Sequence, residues 1–144
     1  TAPAGLTFTT ITPQALEEVM SWGAAGTREV DWNWTQGYSA FRFRYPKRFE
    51  LAVWAPGLVA LSMGRPTYEG HHLRLDFVEA RPRELGTRPQ VFQEILLAYQ
   101  VYARLLGANQ IRIMHPINET VRDYYRRFGY TYIAKKDYLF KEVV

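Results

Sequence analysis

The 144-residue chain contains no cysteine, which removes disulfides, thiolate nucleophiles and cysteine-ligated metals from consideration. Histidine is nearly as scarce. His71 and His72 are adjacent and His115 stands far along the chain, so no metal-ligand spacing forms and no metal is expected. No apolar run approaches the roughly 20 residues that cross a bilayer, and residues 1–5 lack a basic stretch followed by an apolar signal core. A soluble, cytoplasmic protein with no membrane partner is therefore the expectation. Charge of one sign is also in short supply: 18 Lys and Arg oppose 14 Asp and Glu, a formal net charge of +4. So small an excess favours anionic ligands without pointing to nucleic acid, and the aromatic residues show no nucleic-acid recognition pattern.

What the chain does have is apolar and aromatic material, 47% and 15% of its residues. That content opposes disorder, because burying it offsets the entropy lost on ordering the chain. The length suits one domain over residues 1–144 and is hardly enough for two.

Element signals alternate between the periods of strand and helix. Residues 6–11 read as a first strand, and Thr12-Pro13 as cap and first helical residue before Leu16, Val19 and Met20 at helical spacing. Residues 23–37 read as a short second helix or a loop whose indoles, Trp32 and Trp34, pack over a groove. Phe41 and Phe43 alternate with Arg42 and Arg44, as in a short strand or the close of that loop. Residues 49–55 and 58–63 read as a hairpin turned by Pro56-Gly57, with Gly64-Arg65-Pro66 interrupting its second strand. Residues 71–80 have period-two spacing that puts Leu73, Leu75, Phe77 and Glu79 on one side, with Glu79 as an acid ending an apolar face. Thr87-Arg88-Pro89-Gln90 reads as a capping box opening a helix over 88–106, with Gly107 as its stop. Residues 111–114 form a buried strand, a helix follows from Asn118 or Thr120 to about Phe128-Gly129, and 130–134 and 138–143 form a closing hairpin. The result is an α/β domain with a mixed sheet.

The last third brings the most specific pattern: the strand Ile111-Arg112-Ile113-Met114, then Asn118, Val121, Tyr125, Phe128, Gly129 and Tyr130. In these residues, and in its order of elements, the chain resembles the GCN5-related N-acetyltransferase (GNAT) superfamily over about half its length. The resemblance implies an acyl-CoA N-acyltransferase fold: a central mixed, mainly antiparallel sheet with a splayed cleft and flanking helices. Acetyl-CoA as cosubstrate would enter where strands 73–80 and 111–114 part. Backbone groups near Phe77, Val78 and Ala80 would pair with the pantetheine arm, with Asn118 near that arm or capping its helix.

The same resemblance assigns the pyrophosphate to the turn Arg83-Glu84-Leu85-Gly86-Thr87-Arg88-Pro89 and the helix start behind it, where free N–H groups favour an anion. This turn is atypical. It has one glycine where the superfamily pattern has two small residues, and Pro89 has no amide to donate. Arg81, Arg83 and Arg88 would reach phosphate oxygens in its place or stand as ordinary solvated loop residues, with Leu85, Gly86 and Thr87 shaping the turn.

Tyr125 corresponds to the phenol that protonates the departing thiolate, and packing against Tyr124 and Phe128 is its competing role. Glu79 resembles the acid that takes a proton from the amine, directly or through water; a surface ion pair is the alternative. Trp32 and Trp34 would line an apolar acceptor pocket, Glu29 and Asp31 would attract a cationic amine, and His115 lies at the cleft exit. The implied activity is direct transfer of acetyl from acetyl-CoA to a primary amine of a small molecule or protein. The irregular phosphate turn leaves a second reading open, a GNAT-like ligand-binding or structural protein that transfers weakly or not at all. A homodimer through a sheet edge or aromatic patch is compatible with either.

Overall fold

Start and stop signals in the sequence set most helix ends in the computed structural model, which describes residues 5–24, 32–67, 69–82, 85 and 90–143. Thr12 caps helix α1 (Pro13–Met20) by accepting the Ala15 N–H at 3.2 Å, and Pro13 sits in the first turn, where no donor is lost. Gly107 closes helix α3 (Val91–Leu106) in the left-handed conformation, with φ of 75°. Asn118 caps helix α4 (Glu119–Arg126), its Oδ1 accepting the Val121 N–H at 2.9 Å.

Two helix expectations need correction. Helix α3 starts at Val91, three residues later than the capping-box reading, with Gln90 at the N-cap and no side-chain hydrogen bond there. Gln90 precedes the helix and lacks the short acceptor that caps well, and the residue before Pro89 is biased away from helix. Thr87 and Arg88 of the expected box lie outside the described residues. The Phe41–Phe43 alternation is no strand but part of helix α2 (Trp34–Arg44), capped by Asn33 through the Gln36 N–H at 3.0 Å. Residues two apart on a helix point about 200° apart. Phe41 is accordingly buried while Phe43 is 92% exposed.

The strands are β1 (Thr7–Thr9), β2 (Phe49–Trp54), β3 (Leu58–Pro66), β4 (His72–Ala80), β5 (Gln110–Met114), β6 (Thr131–Ile133) and β7 (Tyr138–Glu142). They form one sheet in the order β1-β2-β3-β4-β5-β7-β6. Only β4 and β5 pair in parallel, joined by α3; every other neighbouring pair is antiparallel. Helices α3 and α4 pack on one face over Leu73, Leu75, Ile111, Ile113 and Leu139. Helices α1 and α2 pack on the other over Ala52, Leu61, Met63 and Phe77.

Strand β3 runs straight through the Gly64-Arg65-Pro66 segment expected to interrupt it. Glycine at 64 serves a close approach, since a Cβ there would run into the Arg74 carbonyl and the Tyr99 ring. At this point the β3–β4 register slips: Met63 faces Phe77 but Gly64 faces Leu75, leaving Asp76 as the extra residue of a bulge. The extra residue reverses which side chains face which way. Leu73 and Leu75 point to the α3 face, whereas Phe77 joins the α1/α2 cluster and Val78 and Ala80 return to the α3 cluster. The single face expected for Leu73, Leu75, Phe77 and Glu79 is thus split in two by one inserted residue.

Candidate active site

The β4–β5 ladder runs from His72↔Gln110 to Leu75↔Ile113 and stops, while β4 continues to Ala80. Beyond Leu75, strand β4 is paired to β3 alone among the described residues, through Phe77, Val78, Glu79 and Ala80. The Arg81 N–H donates to the Val59 carbonyl at 2.8 Å, which fixes the alternation of this antiparallel ladder. Phe77, Glu79 and Arg81 spend their backbone groups on β3, and Val78 and Ala80 turn theirs toward the gap beside β5. Of the three strand residues expected to offer backbone groups, two face the gap, and Phe77 contributes its ring on the α1/α2 face.

Glu79 lies on that same face and is 4% exposed. Its Oε1 accepts the Trp34 indole N–H at 2.7 Å, so the first turn of α2 holds the carboxylate beside the gap. The acid and one indole singled out in the sequence are therefore in contact. Trp32 meets Trp34 edge to face at 5.9 Å between ring centroids and meets Phe77 the same way at 5.2 Å. Trp32, Asn33, Trp34, Gly37, Met63 and Phe77 line an open pocket of about 170 Å³. Trp32, Asn33 and Trp34 also form one wall of a wider depression of about 760 Å³ that reaches Val19 and Met20 at the end of α1. Glu29 and Asp31, expected to act here, lie outside the described residues.

On the opposite face, Tyr125 is 3% exposed in the cluster that also holds Leu75, Ile113 and Val78. Its ring packs edge-on against Tyr124 and Tyr130, at 5.5 and 6.1 Å. Burial first, then the neighbouring phenols of Tyr124 and Tyr130, push the Tyr125 hydroxyl well above the usual tyrosine range, so it keeps its proton at neutral pH. The described residues offer that hydroxyl no hydrogen-bond partner. Behind it, the Tyr99 hydroxyl bonds Ser62 Oγ at 2.6 Å and props α3 against β3.

The remaining expected residues are more scattered. Asn118 is exposed, and its Oδ1 is occupied by the α4 cap. Arg81 extends to the α1/α2 face beside Gly57 and the Glu18 carboxylate, across the sheet from the α3 helix whose start was to hold the phosphate. Leu85 is 43% exposed, its N–H donating to the Pro82 carbonyl at 3.1 Å. Arg83, Gly86, Thr87 and Arg88 lie outside the described residues. His115 leaves β5 with φ of 51°, donates its N–H to the Asp137 carbonyl at 3.0 Å and holds Nδ1 3.5 Å from Asp137 Oδ2. Those contacts belong to the β6–β7 turn rather than to the indole pocket.

Sequence reasoning missed Gly37 and Met63 as pocket walls, because it left 23–37 between helix and loop and because the meeting of Met63 on β3 with α2 is a long-range contact. The signal was present in Trp34, Tyr38 and Phe41, spaced i, i+4, i+7, all buried on α2. It also missed Asp76, the bulge residue, whose Oδ1 takes the Arg74 guanidinium at 2.6 Å while Oδ2 is buried without a partner among the described residues. Among the described residues no cluster of His, Asp and Glu could hold a metal ion, and no helix is long and apolar enough to cross a membrane.

No family model matches the sequence, and no curated protein matches it. Solved structures do resemble it in shape. Ard1 from Thermoplasma volcanium superposes with a TM-score of 0.70 at 14% identity, covering 98% of this chain and 99% of that one. The PaiA N-acetyltransferase from Thermoplasma acidophilum, in complex with coenzyme A, gives 0.66 at 12% identity over 95% and 98%. An aminoglycoside 6'-N-acetyltransferase complexed with coenzyme A gives 0.66 at 11% identity over 96% and 97%. With the mixed, mainly antiparallel sheet, its parted parallel pair and its flanking helices, these likenesses identify the fold as that of the GNAT acyl-CoA N-acyltransferases.

Proposed function

We propose that this protein is an N-acyltransferase that moves acetyl from acetyl-CoA directly to a primary amine of a small molecule or protein. One observation carries the reading: the slit beside β4 has a buried carboxylate, Glu79, on one face and a buried phenol, Tyr125, on the other. The residues present fit the coenzyme. Val78 and Ala80 offer backbone groups unpaired among the described residues to an extended arm, and the first turn of α3 has N–H groups to which Gln90 makes no cap.

Acetyl-CoA supplies the acyl group as an activated thioester. An ammonium has no lone pair, so the acceptor must first lose a proton, and Glu79 is the group that takes it, directly or through water. The neutral amine then attacks the carbonyl carbon; the N–C bond forms, the C–S bond breaks, the nitrogen gives up its second proton, and the sulfur takes one up. The Val78 N–H, aimed into the slit, is in place to polarise the carbonyl. Tyr125 passes its proton to sulfur and is reprotonated by the one the nitrogen releases, so neither a thiolate nor a phenolate is left in its apolar surroundings. Holding both reactants in one slit supplies a further large part of the rate.

Calorimetric titration with acetyl-CoA and with CoA tests the reading. Saturable binding and thiol release with an amine panel are expected; undetectable binding at millimolar coenzyme overturns it. A second reading, a GNAT-like protein that binds ligand without efficient transfer, draws on the Trp34 bond that already engages Glu79. Coenzyme binding with no thiol release across the panel would favour that reading.

A further inference from the structure

We infer that the acceptor is a primary amine carried on one compact apolar group, a single aromatic ring or a branched alkyl of similar size, seated among Trp32, Trp34, Met63 and Phe77. This rests on the transferase reading and names the class of its acceptor. It starts from the pocket's contents. Of the six described lining residues, five are aromatic, methionine or glycine, and the sixth, Asn33, spends its side-chain oxygen on the α2 cap. Among the described residues, no lining side chain carries a charge that would hold a second ammonium, as a polyamine or an aminosugar requires.

Size narrows the class. A pocket of about 170 Å³ is close to the roughly 150 Å³ apolar cavity that holds one benzene. The ring edges are already arranged for such a guest. Trp32 stands perpendicular to both Trp34 and Phe77, at 75° and 84°, so an inserted ring finds both faces and edges to pack on.

Position ties the pocket to the chemistry. Phe77 lines it and Glu79 is bonded to its Trp34 wall, and between these two residues on β4 lies Val78, whose backbone faces the slit. One residue of strand is about 3.4 Å. An amine two or three bonds from the seated group therefore reaches Glu79 and a carbonyl held at Val78 together. A lysine side chain would bring four methylenes and a peptide backbone to a pocket of one ring's volume.

The test is binding of 2-phenylethylamine, followed by tryptophan fluorescence, to the protein alone and to the protein saturated with CoA. Spermidine and Nα-acetyl-lysine amide serve as comparators. 2-Phenylethylamine should bind at least tenfold more tightly than either. Gly37→Leu is the blocking variant: Gly37 lines the pocket on α2, and a Cβ there meets nothing within 4 Å, so folding should hold while 2-phenylethylamine affinity falls at least tenfold. Trp32→Leu, at a half-buried residue, should weaken it likewise. Tighter binding of spermidine or the lysine amide, no saturable signal with 2-phenylethylamine, or unchanged affinity in both variants would overturn the inference. Amine binding without any coenzyme binding would uphold the pocket and sink the transferase reading, which keeps the two failures apart.

Discussion

Trp34 bonded to Glu79 on one face of β4, and Tyr125 wedged between Tyr124 and Tyr130 on the other, sit in surroundings of opposite character. Under α1 and α2, the buried carboxylate of Glu79 and half-buried ones beside it have donors around them. Glu50 accepts the Ile11 N–H, the Tyr38 hydroxyl and the Arg48 Nε at 2.9, 3.0 and 2.8 Å, and Glu18 accepts the Leu58 N–H at 2.8 Å. Under α3 and α4 the packing is aliphatic, around Leu73, Leu75, Ile95, Ile111 and Leu139, and its ionisable members are phenols. The first face keeps a carboxylate among hydrogen-bond donors and the second keeps a protonated phenol among apolar side chains, so a proton acceptor and a proton donor stand on opposite sides of β4. The bulge at Asp76 is what sets Glu79 and Val78 on their respective sides.

The comparison breaks most sharply at Tyr125. Tyr125→Phe keeps the ring and removes the proton, so kcat should fall about 10²- to 10⁴-fold, with acetyl-CoA affinity little changed. Steady-state kinetics beside a coenzyme titration checks this. A kcat within threefold of the parent would mean that the phenol only packs.

Next in size is the response to alkali. Tyr99, Tyr125 and Tyr130, all on the α3/α4 face, have hydroxyls held above the usual value by burial. The folded state therefore keeps protons that the unfolded chain releases near pH 10. Stability from this source is full below pH 10 and is lost as pH rises above it. Each retained proton contributes about 1.4 kcal/mol per pH unit, so the three together lower stability by about 4 kcal/mol per unit. Urea unfolding at pH 9, 10 and 11 measures the slope, and Tyr125→Phe should remove about a third of it. A flat profile to pH 11 would contradict the closed, charge-excluding character of this face.

The two faces also differ in how much of them could be read before folding. Thr12-Pro13, Pro56-Gly57, Gly107 and Asn118 act on neighbours a few residues away, and each marks the boundary it was expected to mark. The stripe of Val91, Ile95 and Tyr99 gives α3, and Tyr125 follows from Asn118 by spacing. Under α1 and α2 the legible signals are weaker. Helix α2 has Gly37 and Ser39 inside it and exposed Phe43 outside its buried stripe, which blurs its period. The bulge is invisible to any local pattern, because it arises where Gly64 of one strand meets Asp76 of another. Glu79 was found as an acid at a strand end, but its face was misassigned for this reason, and its Trp34 partner depends on α2.

Two glycines turn that lesson into a measurement. Gly64→Ala forces a Cβ onto the Arg74 carbonyl and the Tyr99 ring, and backbone cannot yield as a flexible side chain can. A loss of about 3 kcal/mol is expected. Gly37→Ala adds its Cβ to open space in a helix and should gain up to about 1 kcal/mol. Denaturant midpoints give both, and equal effects would mean that the bulge tolerates the extra atom.

Asn118 offers the smallest and most discriminating change, because its cap and the coenzyme contact proposed for it would use different atoms. Oδ1 accepts the Val121 N–H at 2.9 Å, while the side-chain amide nitrogen has no partner among the described residues and faces solvent at the start of α4. Asn118→Ala removes both functions and should cost about 1 kcal/mol of stability. Asn118→Asp keeps the acceptor and adds negative charge at a helix N-terminus, where it is tolerated. Stability should therefore return in the aspartate variant. If the amide also donates to the coenzyme arm, acetyl-CoA affinity stays lowered there, since an aspartate has no N–H to give. If affinity recovers together with stability, the cap accounts for this asparagine, and coenzyme recognition rests on β4 and the start of α3.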